Sequence, residues 1–173
     1  FQIIAALLLL NSCGKIKIPF NVSMELPYSK DFAGPMLDSA THLPPGGFKF
    51  ATPVQAIATD VQAKLEEKNM TTSQISNIKL TSYVQKISGE NFDFVDSVRI
   101  FISAAGLPEV SAASQTDIPK GNTEINMVCN PEDLKAYLLK DSIYIRMEGH
   151  FNKIPKLSTF HTDLSFKVTA HLT

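Results

Sequence analysis

The stretch Thr159-Phe160-His161-Thr162-Asp163-Leu164-Ser165-Phe166-Lys167-Val168-Thr169-Ala170-His171-Leu172 alternates over its whole length. Phe160, Leu164, Phe166, Val168, Ala170 and Leu172 take one parity. Thr159, His161, Asp163, Ser165, Lys167, Thr169 and His171 take the other. A period of two is the mark of a strand with one face buried and one face wet. A slip of one residue would exchange the faces, so the register is strongly specified. Working back along the chain, further strands read over Ser142–Phe151, Thr123–Cys129, Val110–Ser114 and Ser97–Ser103, the last with Val98, Ile100 and Ile102 inward. Another reads over Ser76–Ile87, with Ile78, Leu80 and Val84 on one parity. Ser88–Asn91, Asn91–Phe94 and Gly106–Pro108 supply turns. Strands separated at regular intervals by turn residues predict a mainly β chain folded as an antiparallel β-sandwich.

Two helices complete the expectation. Thr52, Pro53 and Gln55 have the spacing of a capping box with proline at the first helical position. Val54, Ile57, Ala58, Val61 and Leu65 form an apolar stripe behind it, and Asn69 supplies a stop. Asn130-Pro131-Glu132-Asp133 reads as the start of a short second helix, with its acids at the positive end of the dipole. Nearer the start, Lys15–Met24 alternates as a strand, with Ile16, Ile18, Phe20, Val22 and Met24 on one face. Residues 25–53 hold five prolines (Pro27, Pro35, Pro44, Pro45, Pro53) and show no sustained period, which predicts a long irregular connection. Its aromatics Tyr28, Phe32, Phe48 and Phe50 are candidates for a lid over a ligand pocket. Only Phe48–Ala51 within it suggests a short strand.

The chain has 173 residues, a net charge of −1 and only two arginines, Arg99 and Arg146. That balance excludes a polybasic nucleic-acid binder, and the 44% hydrophobic content excludes a disordered chain. The most specific signal lies at the beginning. Phe1-Gln2-Ile3-Ile4-Ala5-Ala6-Leu7-Leu8-Leu9-Leu10 is uncharged and has the length of a signal-peptide core, well short of the ~20 residues of a membrane span. Leu10-Asn11-Ser12-Cys13-Gly14 follows. This resembles a bacterial lipobox: leucine three before the cysteine, a small residue before it and glycine after it. The resemblance implies a signal peptide over 1–12, incomplete at its start, and a mature domain over 13–173 with Cys13 lipidated. Gly14-Lys15-Ile16-Lys17 carries no acid, which by the family's sorting logic implies the outer membrane, facing the periplasm. The segment Asn91–Val110 is similar to stretches of uncharacterised Bacteroidota cell-envelope lipoproteins with an immunoglobulin-like or late-embryogenesis-abundant-like sandwich. That similarity spans residues 72–173 and implies a fold and a compartment, and no activity.

Candidate chemistry is sparse. With Cys13 acylated, Cys129 is the one remaining thiol, and it sits on the apolar parity of Ile125 and Met127. His150, His161 and Asp163 share polar parities of the last two strands, which would bring them together if those strands paired. No Gly-x-Ser-x-Gly elbow or phosphate-binding loop occurs. Ser39, Ser97 and Ser142 each follow an aspartate and precede an apolar residue, similar to the acceptor motif of Bacteroidota O-glycosylation, with Ser39 the best placed. The sequence therefore predicts a non-enzymatic, lipid-anchored envelope protein acting as an accessory or scaffold subunit. No cofactor, metal or catalytic residue is expected. The expected partners are the membrane, through the N-terminal lipid, and another envelope protein, not nucleic acid. A ligand-binding lipoprotein using residues 26–52 as a lid is the alternative.

Overall fold

The computed structural model describes residues 20–33, 44–153, 155 and 158–172. Cys13, Ser39, His42 and the first part of the expected Lys15–Met24 strand lie outside the described residues. The fold is an antiparallel β-sandwich. Its strands are β1 Phe20–Ala33, β2 Phe48–Ala51, β3 Gln55–Ala58, β4 Ile75–Ser88, β5 Val95–Ala104, β6 Leu107–Thr116, β7 Glu124–Asn126, β8 Val128–Cys129, β9 Ser142–Phe151 and β10 Thr159–Leu172. Helices α1 Val61–Glu66 and α2 Lys135–Leu138 are short. Sheet A runs β1-β10-β4-β7. Sheet B runs β2-β9-β5-β6-β8, with β3 also paired to β9.

β10 is the spine of sheet A, paired to β1 on one side and β4 on the other. Phe160, Leu164, Phe166, Val168 and Ala170 are all buried, as the alternation predicts. They meet Val98, Ile100, Ile102, Ile143, Ile145 and Phe151, buried residues of sheet B, in one continuous core. Each such side chain contributes about 1.5–3 kcal/mol when fully buried. Thr162 also points inward; its hydroxyl donates to Gln85 Oε1 at 2.7 Å, and both residues are buried.

Several expectations need correction. Residues 25–33 are not an irregular connection: they continue β1, with Leu26 buried and Tyr28 half-buried. Pro27 is compatible because β1 is an edge strand, where a missing N–H costs the ladder little. Thr52 caps no helix. Its N–H donates to Met147 O at 2.8 Å and its hydroxyl accepts from Met147 N–H at 3.0 Å, so it bonds into β9. The residues after it pair with β9 as β3, and the helix begins only at Val61, burying Val61 and Leu65. A partner strand outweighs a local capping pattern. Asn69 does mark the end of the helical segment, with φ 55°. Val84 does not share a face with Ile78 and Leu80. Thr81 is skipped in the pairing with β10, and this bulge turns Tyr83, Gln85 and Ile87 inward.

Thr123–Cys129 is not one strand. β7 pairs with β4 in sheet A and β8 with β6 in sheet B, so the chain crosses between sheets at Met127. The second helix starts later than expected. Asn130 turns back to β6 through Ser111 O, and Asp133 accepts from the Ile78 and Lys135 N–H groups. This lays α2 along the part of β4 that β7 leaves uncovered. The opposite side is closed by Tyr28 Oη donating to Thr59 O, and by Lys30 Nζ donating to Ala56 O at 2.9 Å.

The buried Thr162–Gln85 pair yields a stability prediction. Thr162→Val should cost about 1–3 kcal/mol, because Gln85 keeps a buried acceptor without its donor. Adding Gln85→Met should recover most of that loss. Urea unfolding of both variants is the measurement. A single-variant loss within about 0.5 kcal/mol would show that the pair carries no such penalty.

Candidate functional site

The polar parity of β10 faces outward from sheet A and meets polar residues of both neighbours. Asp31 of β1 lies opposite His161, and Ser29 opposite Asp163. Lys86 of β4 lies opposite His161 on the other side. His161 Nδ1 bonds Asp31 Oδ1. His161 Nε2 lies 3.0 Å from Asp163 Oδ1 and 3.1 Å from Ser29 Oγ. Ser29 Oγ donates to Asp163 Oδ1 at 2.8 Å, and Lys86 Nζ to Asp163 Oδ2 at 2.9 Å. Five side chains from three strands form one exposed network.

The set contains a serine, a histidine and an aspartate on the nitrogens expected of a nucleophile–base–orienter triad, yet its electrostatics run the other way. Both ring nitrogens face carboxylates, and only the imidazolium can donate to both. Hydrogen bonds to Asp31 and then Asp163 raise the proton affinity of His161 above the ordinary histidine range. A ring whose two nitrogens both face carboxylates is poorly placed to take a proton from serine. The Ser29 proton is committed to Asp163 instead. Lys86, then Ser29, hold the Asp163 carboxyl down at about 2. The cluster is thus a charge clamp between β1, β10 and β4.

The other anticipated residues are dispersed. β9 and β10 belong to different sheets, so His150 does not approach His161; its Nδ1 lies 3.1 Å from Asp96 Oδ2. No group of three or more histidine, cysteine, aspartate or glutamate residues among the described residues is placed to hold a metal ion. Tyr28 packs edge-on to Phe166, and burial pushes its hydroxyl up to about 12. Phe48 meets Phe151 edge-on, and Phe50 stacks on Phe151 at 5.0 Å. Tyr28 and Phe32 of β1, and Phe48 and Phe50 of β2, pack against the core from strands, so they form no loop-borne lid. Gly47 makes the β2 arrangement possible. It has φ +82°, and a Cβ there would stand 2.3 Å from Phe151 O. Cys129 is half-buried, and burial pushes its thiol up, which is the opposite of nucleophile activation. Ser97 lies in β5 and Ser142 begins β9; both are half-buried.

Sequence reasoning missed a second network, on the outer face of sheet B. Arg146 bonds Glu109 through Nε at 3.0 Å and through Nη2, and Glu148 through Nη1 at 2.6 Å. Its guanidinium stands 4.6 Å from the Phe101 ring centroid. The other arginine, Arg99, two residues before Phe101 on β5, places its guanidinium carbon 5.8 Å from the same ring centroid.

No protein-family model matches this chain, and no curated protein matches it. Among solved structures, a chain from Desmodium yellow mottle tymovirus is similar over 89% of this chain and 91% of that one, at 8% identity and a TM-score of 0.26. A likeness that slight carries nothing about activity.

The clamp makes a pH prediction. The proton affinity of His161 is raised on folding, so its contribution is complete below the unfolded value of about 6.5 and fades as pH rises through the folded value. Asp163 is lowered, so its contribution is present above about 3.9 and fades as pH falls towards 2. The urea midpoint should fall as pH rises above about 6.5 in the wild type and stay flatter in His161→Gln. Equal slopes in the two proteins would show that the clamp does not form in solution.

Proposed function

We propose that this protein is a lipid-anchored, non-catalytic subunit of the cell envelope, held at the outer membrane and facing the periplasm, where it acts as an accessory or scaffold for another envelope protein. One observation carries the reading. An uncharged apolar run leads directly into Leu10-Asn11-Ser12-Cys13-Gly14, and β1 opens at Phe20. Residues 14–19 could span at most about 20 Å, so an acylated Cys13 would hold the sandwich close to the bilayer. The described residues contain no helix long and apolar enough to cross a membrane. Each buried methylene contributes about 0.8 kcal/mol, and several acyl chains together make a durable anchor.

The histidine cluster supports the non-catalytic part of the reading. Its serine proton goes to Asp163 and both imidazole nitrogens face carboxylates, which raises the proton affinity of the ring instead of freeing it as a base.

The test is Cys13→Ala in intact bacterial cells. The wild type should partition with membranes and carry a diacylglyceryl mass on Cys13; the variant should lose both. Cross-linking through a C-terminal tag should recover a stoichiometric envelope partner from the wild type and not from the variant. A wild-type mass without lipid would overturn the anchor, and an anchored protein with no partner would overturn the scaffold role.

A further inference from the structure

Sheet B carries an open groove of about 480 Å³ on its outer face, within the range of small-molecule sites. It lies across β2, β9, β5 and β6, at the end of the sheet where Lys49 pairs with His150 and Arg99 with Glu148. The floor is the backbone around Gly149 and Val98, and the walls hold two cations, Lys49 and Arg99, with the hydroxyls of Ser97, Ser114 and Thr116.

The charge balance of these walls is uneven for a structural reason. The one carboxylate in the groove is Glu148, and Arg146, which stands outside the groove, binds its Oε1 at 2.6 Å. Neither Lys49 nor Arg99 has an ion-pair partner among the described residues, while Arg146 on the same face has two. The Arg99 guanidinium carbon stands 5.8 Å from the Phe101 ring centroid, within cation–π range. A planar guanidinium presented this way suits a carboxylate, which it can bind through two parallel hydrogen bonds. Two cations offset by one engaged carboxylate suit a single negative charge. Hydroxyls on the β5 and β6 wall suit a ligand that carries hydroxyls of its own.

We propose that this groove binds a carboxylate-bearing saccharide, with Arg99 and Lys49 holding the carboxylate and Ser97, Ser114 and Thr116 facing the sugar hydroxyls. Arg146 acts as a positioning residue by holding Glu148 away from the bound anion. The site is independent of the lipid anchor.

The experiment is isothermal titration of the full chain in detergent with three probes: galacturonate, galactose and inorganic phosphate. Galacturonate should bind saturably, and galactose at least tenfold more weakly. Arg99→Gln and Lys49→Gln should each weaken galacturonate at least tenfold while leaving the unfolding midpoint unchanged, since both side chains are exposed. Arg146→Gln should weaken it too, and Glu148→Gln in that background should restore it. Equal binding of galactose would overturn the proposal, because the charge would not be read. Phosphate binding tighter than galacturonate would overturn the carboxylate assignment. Galacturonate binding unaltered in Arg99→Gln would place the ligand elsewhere and overturn the site. The Cys13→Ala protein should bind like the wild type, so loss of the anchor and loss of this site are separable.

Discussion

The register of β10 is the constraint on which the rest of the molecule depends. It is paired along both edges, so one choice of parity is transmitted to β1 and β4 together. Phe166 and Val168, both fully buried, allow no other choice. A shift of one residue would bury His161, Asp163 and Lys167 and expose five apolar side chains, a penalty far larger than the marginal stability of a domain this size. The same parity that commits Phe160 and Leu164 to the core commits His161 and Asp163 to the outer face. The placement of the charge clamp therefore follows from the core register.

Legibility followed the number of partners each segment has. β9 and β10 were readable to the residue because both are interior strands with a full alternation. β1 beyond Met24 was not, since an edge strand tolerates Pro27 and two exposed charged positions, Lys30 and Asp31, that spoil the pattern. The Thr52–Gln55 spacing satisfies the chemistry of a capping box, yet β9 offers backbone groups that no local pattern can outbid. A true box of the same form occurs further on, where Thr71 N–H donates to Gln74 Oε1 at 2.8 Å ahead of β4. The bulge at Thr81 and the sheet change at Met127 each break a period halfway, and a period is all that a single sequence displays.

The polar sites were less legible than the core for a different reason. Ser29 and Asp163 are 134 residues apart, and Glu109 and Arg146 are 37 apart. Nothing in either neighbourhood announces the other. Parity alone suggested that His150 and His161 could meet, which requires β9 and β10 to be neighbours in one sheet. Consecutive strands in a sandwich often lie in opposite sheets, and these two do. Pairing topology, not residue type, decides which polar groups share a site.

Topology also links the two proposals without making either depend on the other. β1 enters sheet A at Phe20, opposite Leu172 of β10, and ends at Ala33, opposite Thr159. Fourteen extended residues cover about 43 Å. The groove on sheet B lies beside Phe151, which meets Phe94 edge-on. Phe94 packs on Phe92, and Phe92 on Phe160, at the Thr159 end of β10. The groove therefore sits at the end of the sandwich remote from Phe20. A lipid on Cys13 would draw the Phe20 end down to the bilayer and leave the groove at the far end, open to solvent. An anchor attached instead beyond the Thr159 end would turn the groove into the membrane and close it. The direction of β1 thus decides whether an envelope-bound sandwich of this shape can use its outer face at all.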